Sequence, residues 1–137
     1  MAKINREFFR YQFSRNQDWL INRILKPGEK VLHAYTNCRI KDLSPGKSER
    51  TPVGIFLVTD MRVVIIIPRF LKEFEIEEYP YDQLTSVGPC EDTRYWSGCV
   101  ELVAGKVKRL VYWINPAKMA KLMIETINER MKMTKRA

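Results

Sequence analysis

Five consecutive β-branched residues, Val63-Val64-Ile65-Ile66-Ile67, constrain this chain more than any other feature of it. Branching at Cβ stiffens χ1 and suits a pleated surface, so the run reads as a strand. Successive strand residues point to opposite faces, and here both faces are apolar. Protein must therefore cover the strand on both sides. Pro68, which cannot donate to a ladder, ends it.

The neighbouring segments supply the rest of a sheet. Val53–Val58 precedes the run, and Thr59-Asp60-Met61 joins the two as a hairpin, since Thr and Asp side chains can bond the backbone of a tight turn. Arg62, just after that turn, is expected to bond turn carbonyls or to pair with Asp60 or Asp82. From Lys30 the pattern alternates, with Leu32, Ala34, Thr36, Cys38 and Ile40 on one side and His33, Tyr35 and Asn37 on the other. A polar loop follows from Lys41 to Pro52. Lys72–Glu78 alternates again, with Phe74 and Ile76 opposite Glu73, Glu75 and Glu77, as a half-exposed strand would. Leu84–Val87, Cys99–Ala104 and Val107–Ile114 bring the count to about seven strands, the last two joined at Gly105-Lys106.

Helical spacing marks both ends. Within residues 5–25, Phe9, Phe13, Leu20 and Ile24 share a narrow sector, with a capping box at Ser14 and Gln17 where the helix can restart and a stop at Pro27-Gly28. Asn115-Pro116 has the N-cap and N1 residues of a helix start, and Met119, Met123, Ile127 and Met131 follow at four-residue spacing with Leu122 and Ile124 beside them.

A length of 137 residues suits one domain, and 45% hydrophobic with 29% charged residues is ordinary globular usage. No apolar run approaches the roughly 18 residues that span a bilayer, and the first residues are too polar for a signal peptide, so a cytoplasmic protein is expected, with a peripheral place at the membrane as an extension. Cys38, Cys90 and Cys99 are odd in number, which fits reduced thiols better than a disulfide framework. The formal charge of +8 favours anionic partners. It is segregated: Lys3, Arg6, Arg10, Arg15, Arg23 and Lys26 outnumber Glu7 and Asp18 at one end, and Arg130, Lys132, Lys135 and Arg136 outnumber Glu129 at the other. Residues 51–90 are acidic in balance.

Three stretches carry a family resemblance. Leu25-Lys26-Pro27-Gly28-Glu29-Lys30-Val31-Leu32 resembles the opening into strand one of the bacterial pleckstrin-homology-like family of the YokE-like type. Gly54-Ile55-Phe56-Leu57-Val58-Thr59-Asp60-Met61-Arg62 is similar to that family's Gly-x-x-x-x-Thr-x-x-Arg hairpin, and Tyr79-Pro80-Tyr81-Asp82-Gln83-Leu84-Thr85-Ser86-Val87 to its entry into the second sheet. With the final helix the likeness covers roughly residues 25–132. It implies a mainly β, α+β fold: a barrel of about seven antiparallel strands in two sheets, plugged at one open end by Met119, Leu122, Met123 and Ile127 of the C-terminal helix. Residues 1–24 then form a helical arm outside a domain of residues 25–137. The implied role is binding of lipids, peptides or copies of itself, without catalysis; fold does not fix the ligand.

The residues give catalysis little support. The single histidine, His33, sits mid-strand with no flanking nucleophile motif, and no paired Cys or His spacing suits a metal, so neither a catalytic residue, a metal ligand nor a cofactor is expected. The six glycines are scattered among turns rather than gathered as a phosphate cradle. Arg39, Lys41, Lys47 and Arg50, assigned to the first long hairpin loop, are the candidate anion or lipid contacts, although Asp42 and Glu49 dilute them and a solvated loop explains them as well. Phe9, Phe13, Leu20 and Ile24 of the basic arm, with the acidic Glu73, Glu75 and Glu77, are the candidates for self-association. Protein partners, the chain itself included, are expected first, an anionic membrane surface second, and nucleic acid through the basic ends is unlikely.

Overall fold

In the computed structural model, residues 21–43, 51–67, 74–90 and 98–136 are described. They form strands β1 (Val31–Asp42), β2 (Val53–Thr59), β3 (Arg62–Ile67), β4 (Glu75–Pro80), β5 (Ser86–Pro89), β6 (Gly98–Ala104) and β7 (Val107–Ile114), followed by helix α1 (Ala117–Arg136). A 3-10 turn, Tyr81–Gln83, separates β4 from β5. The fourth and fifth strands therefore run later than alternation alone suggests, because Tyr81 and Leu84 are buried by the turn rather than by a ladder.

All seven strands are antiparallel and belong to one continuous sheet in the order β4-β3-β2-β1-β7-β6-β5, rather than to two separate sheets. β1 is the hinge of this arrangement. It pairs with β2 from Val31 to Arg39 on one side and, from Arg39 to Asp42, with β7 on the other. Two register shifts against β2 interrupt it, and Asn37, within the second, has φ 60°. Bulges of this kind bend a strand, which lets one sheet wrap a core.

Residues of β2 and β3 are buried on both faces. On the inner face Phe56, Val58, Val63 and Ile65 meet Val100, Leu102 and Val111 and the buried side of α1, formed by Ala120, Met123, Ile127 and Met131. On the outer face Ile55, Leu57, Val64 and Ile66 are covered by Ile21, with Ile24, Leu25 and Phe74 packed around them. The two-sided cover required by the Val63–Ile67 run thus comes from α1 within and from Ile21, Ile24, Leu25 and Phe74 without.

The helix plugs the core, but not through every residue expected to do so. Met123 and Ile127 are fully buried and Met119 is partly buried, whereas Leu122 is 45% exposed. At about 100° per residue, Ala120, Ile127 and Met131 lie on the Ile124 side of Met123, and Leu122 lies on the other. Gly98 sets how closely the helix approaches: a Cβ there would stand 2.6 Å from the Ile114 carbonyl oxygen and 2.8 Å from Ala120 Cβ. The helix begins at Ala117, just after Asn115-Pro116.

Candidate binding surfaces and the charges that frame them

Arg62 does not pair with Asp60 or Asp82. It follows Val64 and Ile66 in facing the outer cluster, where it is 4% exposed beside a fully buried Glu29. Its Nε donates to Glu29 Oε2 at 2.9 Å and Nη2 to Glu29 Oε1 at 3.0 Å, while Nη1 reaches Glu78 Oε2 at 2.7 Å. Nη2 also donates to the Ile24 carbonyl at 2.9 Å. Glu29 gains further donors in the Thr59 hydroxyl at 2.6 Å and the Lys26 amide at 2.9 Å. Burial alone would raise the Glu29 carboxyl, but Arg62, Lys26 and Thr59 outweigh it and hold the group below its ordinary range. The Thr59 hydroxyl also accepts from the amides of Met61 and Arg62, and Asp60 Oδ1 accepts from Lys30 N. The Thr-x-x-Arg pattern is therefore a clamp that fastens the segment from Ile24 to Glu29 to the β2–β3 hairpin.

The acidic residues of β4 also have structural work. Tyr79 is buried in the inner core, so Glu75 and Glu77 share its inward side rather than a solvent face. Arg109 of β7 reaches across to Glu77 through Nε at 3.0 Å and Nη2 at 3.1 Å, and pairs with Asp42 through Nη1 at 2.6 Å. The Tyr79 hydroxyl donates to Glu77 at 2.7 Å. Ile76, on the opposite side of this edge strand, is 44% exposed. Glu73 lies outside the described residues, as do Phe9, Phe13 and Leu20; Ile24 packs on the protein's own sheet.

Arg39 and Lys41 are half-buried and lie on the outer side of β1, while Lys47 and Arg50 lie outside the described residues. Arg39 donates to the Thr51 carbonyl at 3.0 Å, and its guanidinium carbon stands 5.1 Å from the centre of the Trp113 ring. Trp113 was not legible as a site residue. The register between β6 and β7 slips between Gly98 and Cys99, and opposite the slip Trp113 takes φ 65°. For a bulky side chain that is an outlier costing on the order of 1–3 kcal/mol. Trp113 is nonetheless 50% exposed, and Val53, opposite Arg39 in the β1–β2 ladder, is 42% exposed.

His33 packs inward, with Nε2 2.8 Å from the Thr126 hydroxyl, and burial lowers its pKa. Cys38 is fully buried, its Sγ donates to the Gly54 carbonyl, and burial pushes its thiol up to about 12. Cys90 and Cys99 are not the free thiols that the odd count implied: they form a disulfide with a Cα separation of 5.5 Å. Both line a cleft of about 500 Å3 against Ala120, Lys121 and Ile124 of α1. Among the described residues no cluster of three potential metal ligands occurs, and no helix is long and apolar enough to cross a membrane.

Solved structures with this architecture include the C-terminal domain of an unknown protein from Leishmania infantum, at 12% identity and TM-score 0.55, covering 74% of this chain and 86% of that one. The hSac2 domain of the human phosphoinositide phosphatase Sac2 matches at 15% identity and TM-score 0.51, over 89% of this chain and 80% of its own. The linker-DH/PH domains of p115-RhoGEF match at 8% identity and TM-score 0.54, over 95% of this chain but 37% of that protein. Identities this low speak to fold alone, and no curated protein matches the chain. The sequence profile of the bacterial PH domain matches residues 25–134, which span the barrel and its helix, and the chain belongs to that family.

Proposed function

We propose that the protein is a non-catalytic binding module that contacts other proteins, copies of itself first among them. One observation carries this reading: Trp113 is held half-exposed at a conformational cost, with Arg39 against its ring and Val53 nearby. Trp and Arg are the residue types over-represented where protein interfaces draw most of their energy. A second copy docked on this face would bury Trp113 and Val53 together. Phe9, Phe13 and Leu20 of the arm are proposed as a further contact of the same assembly, because Ile21 and Ile24, which follow them, already lie on the protein's own sheet.

Light scattering on the intact chain at tens of micromolar, in low and high salt, tests the proposal. A mass above that of one chain is expected; a monomer under every condition would overturn self-association. Peripheral binding to anionic lipid is the second reading. It is favoured by Trp113 and Arg39 lying on the same side of β1 as Lys41, at the strand end that leads toward Lys47 and Arg50. Each near-surface cation would contribute about 1 kcal/mol. Cosedimentation with anionic rather than neutral liposomes, weakening with salt, would support that reading, and equal recovery with both would exclude it.

A further inference from the structure

The ladder between β5 and β6 pairs Ser86 with Val103, Val87 with Leu102, Gly88 with Glu101 and Pro89 with Val100. One more step of the same register sets Cys90 opposite Cys99, and their Cα separation of 5.5 Å is what an antiparallel ladder gives directly opposed residues. The backbone pairing therefore holds the two sulfurs within bonding range whether or not the bond exists. The bond joins cysteines nine positions apart in the sequence, on strands whose ladder already brings them together. It constrains the unfolded chain, but the native register does not depend on it. Entry to the bond is from Cys90, which is partly exposed and borders the cleft beside α1; Cys99 is buried at 8% exposure against Leu110 and Tyr112, and Cys38 is fully sealed.

We propose that Cys90 and Cys99 form a reversible thiol–disulfide site that exchanges with small thiols and disulfides of the glutathione class. In the oxidising direction the Cys90 thiolate, the more accessible, attacks one sulfur of the small disulfide. A mixed disulfide forms and one small thiolate leaves. Cys99 then gives up its proton and attacks Cys90 Sγ, closing the protein bond and releasing the second small thiolate. One S–S bond is made and one broken, and the two protons from the cysteines end on the two small thiols. Reduction runs the same steps backwards, with a small thiolate entering at Cys90 and Cys99 leaving.

The test uses the intact chain equilibrated in mixtures of reduced and oxidised glutathione near neutral pH, quenched in acid, alkylated and read by mass spectrometry. Cys90 and Cys99 are expected to be labelled together or not at all, in proportions that follow the glutathione ratio. Cys38 should stay unlabelled and the far-ultraviolet circular dichroism unchanged. Cys99→Ser should accumulate one glutathione on Cys90 under oxidising conditions. A bridge that survives excess reduced glutathione until the protein is unfolded would show a fixed cross-link and overturn the proposal. Thiols that never close in oxidised glutathione would overturn it as well, as would Cys99→Ser that takes up no adduct.

Discussion

The outer face of the sheet is finished in two different ways. Over β2 and β3 it is roofed by Ile21, Ile24 and Leu25, and the roof is fastened by the buried Glu29–Arg62 pair and by Arg62 on the Ile24 carbonyl. Over the end of β1 and β7 it carries Trp113 and Val53 in the open, framed by Arg39. The first half hides its apolar side chains with the protein's own chain. The second keeps an aromatic exposed in a backbone conformation that disfavours it. The contrast teaches that one sheet face can be sealed at one end by the protein's own chain and, at the other, leave an aromatic ring beside a guanidinium where a partner would reach both.

The largest effect should come from breaking the clamp. Arg62→Ala leaves Glu29 buried without its cation, and about 3–5 kcal/mol of stability should be lost in urea unfolding; a loss under about 1 kcal/mol would mean that the roof is not fastened as described. Next, Ile21→Ala should cost about 2–5 kcal/mol, as truncation of a fully buried Ile does, whereas Val53→Ala should stay within about 0.5 kcal/mol. Equal effects at the two positions would erase the difference between covered and open halves.

Acid should act on both faces of the sheet, and its sign is fixed. His33 inside the barrel and Glu29 under the roof both have folded-state pKa values below their ordinary 6.5 and 4.5, so the unfolded chain binds protons more readily. Stability is then full above those values. It should fall first as pH drops below about 6.5 and His33 must be charged in the unfolded chain, and again below about 4.5 through Glu29. Thermal melts across this range check it: His33→Gln should flatten the upper step only, and a melting temperature that rises on acidification would contradict the assignment.

Periodicity made part of this legible in advance. Val63–Ile67 announced a two-sided strand, and Met123 and Ile127 announced the plugging face, because burial on a strand or helix repeats at short sequence intervals. Leu122 was misplaced because a hydrophobic flank and a buried face look alike until the helix has a neighbour to choose between them. The partners of Arg62 and Arg109 were hidden for a different reason. Glu29 and Glu77 lie more than thirty residues away from them, and only the finished register brings such pairs together. The alternation of Glu75 and Glu77 was visible, but its direction was not, since an edge strand can turn a charge inward where an opposing cation meets it, as Arg109 meets Glu77. The odd cysteine count concealed the Cys90–Cys99 pair behind the buried Cys38. Trp113 had no signal, because the slipped register that exposes it belongs to two strands at once.

The central claim is most directly tested on Trp113→Gly. Glycine accepts φ 65° without strain, so the backbone is kept while the indole is removed, and the melting temperature should hold or rise slightly. Sedimentation equilibrium of this variant beside the intact chain should then show a mass reduced to that of one chain. The same oligomer mass from a folded Trp113→Gly protein would contradict the account.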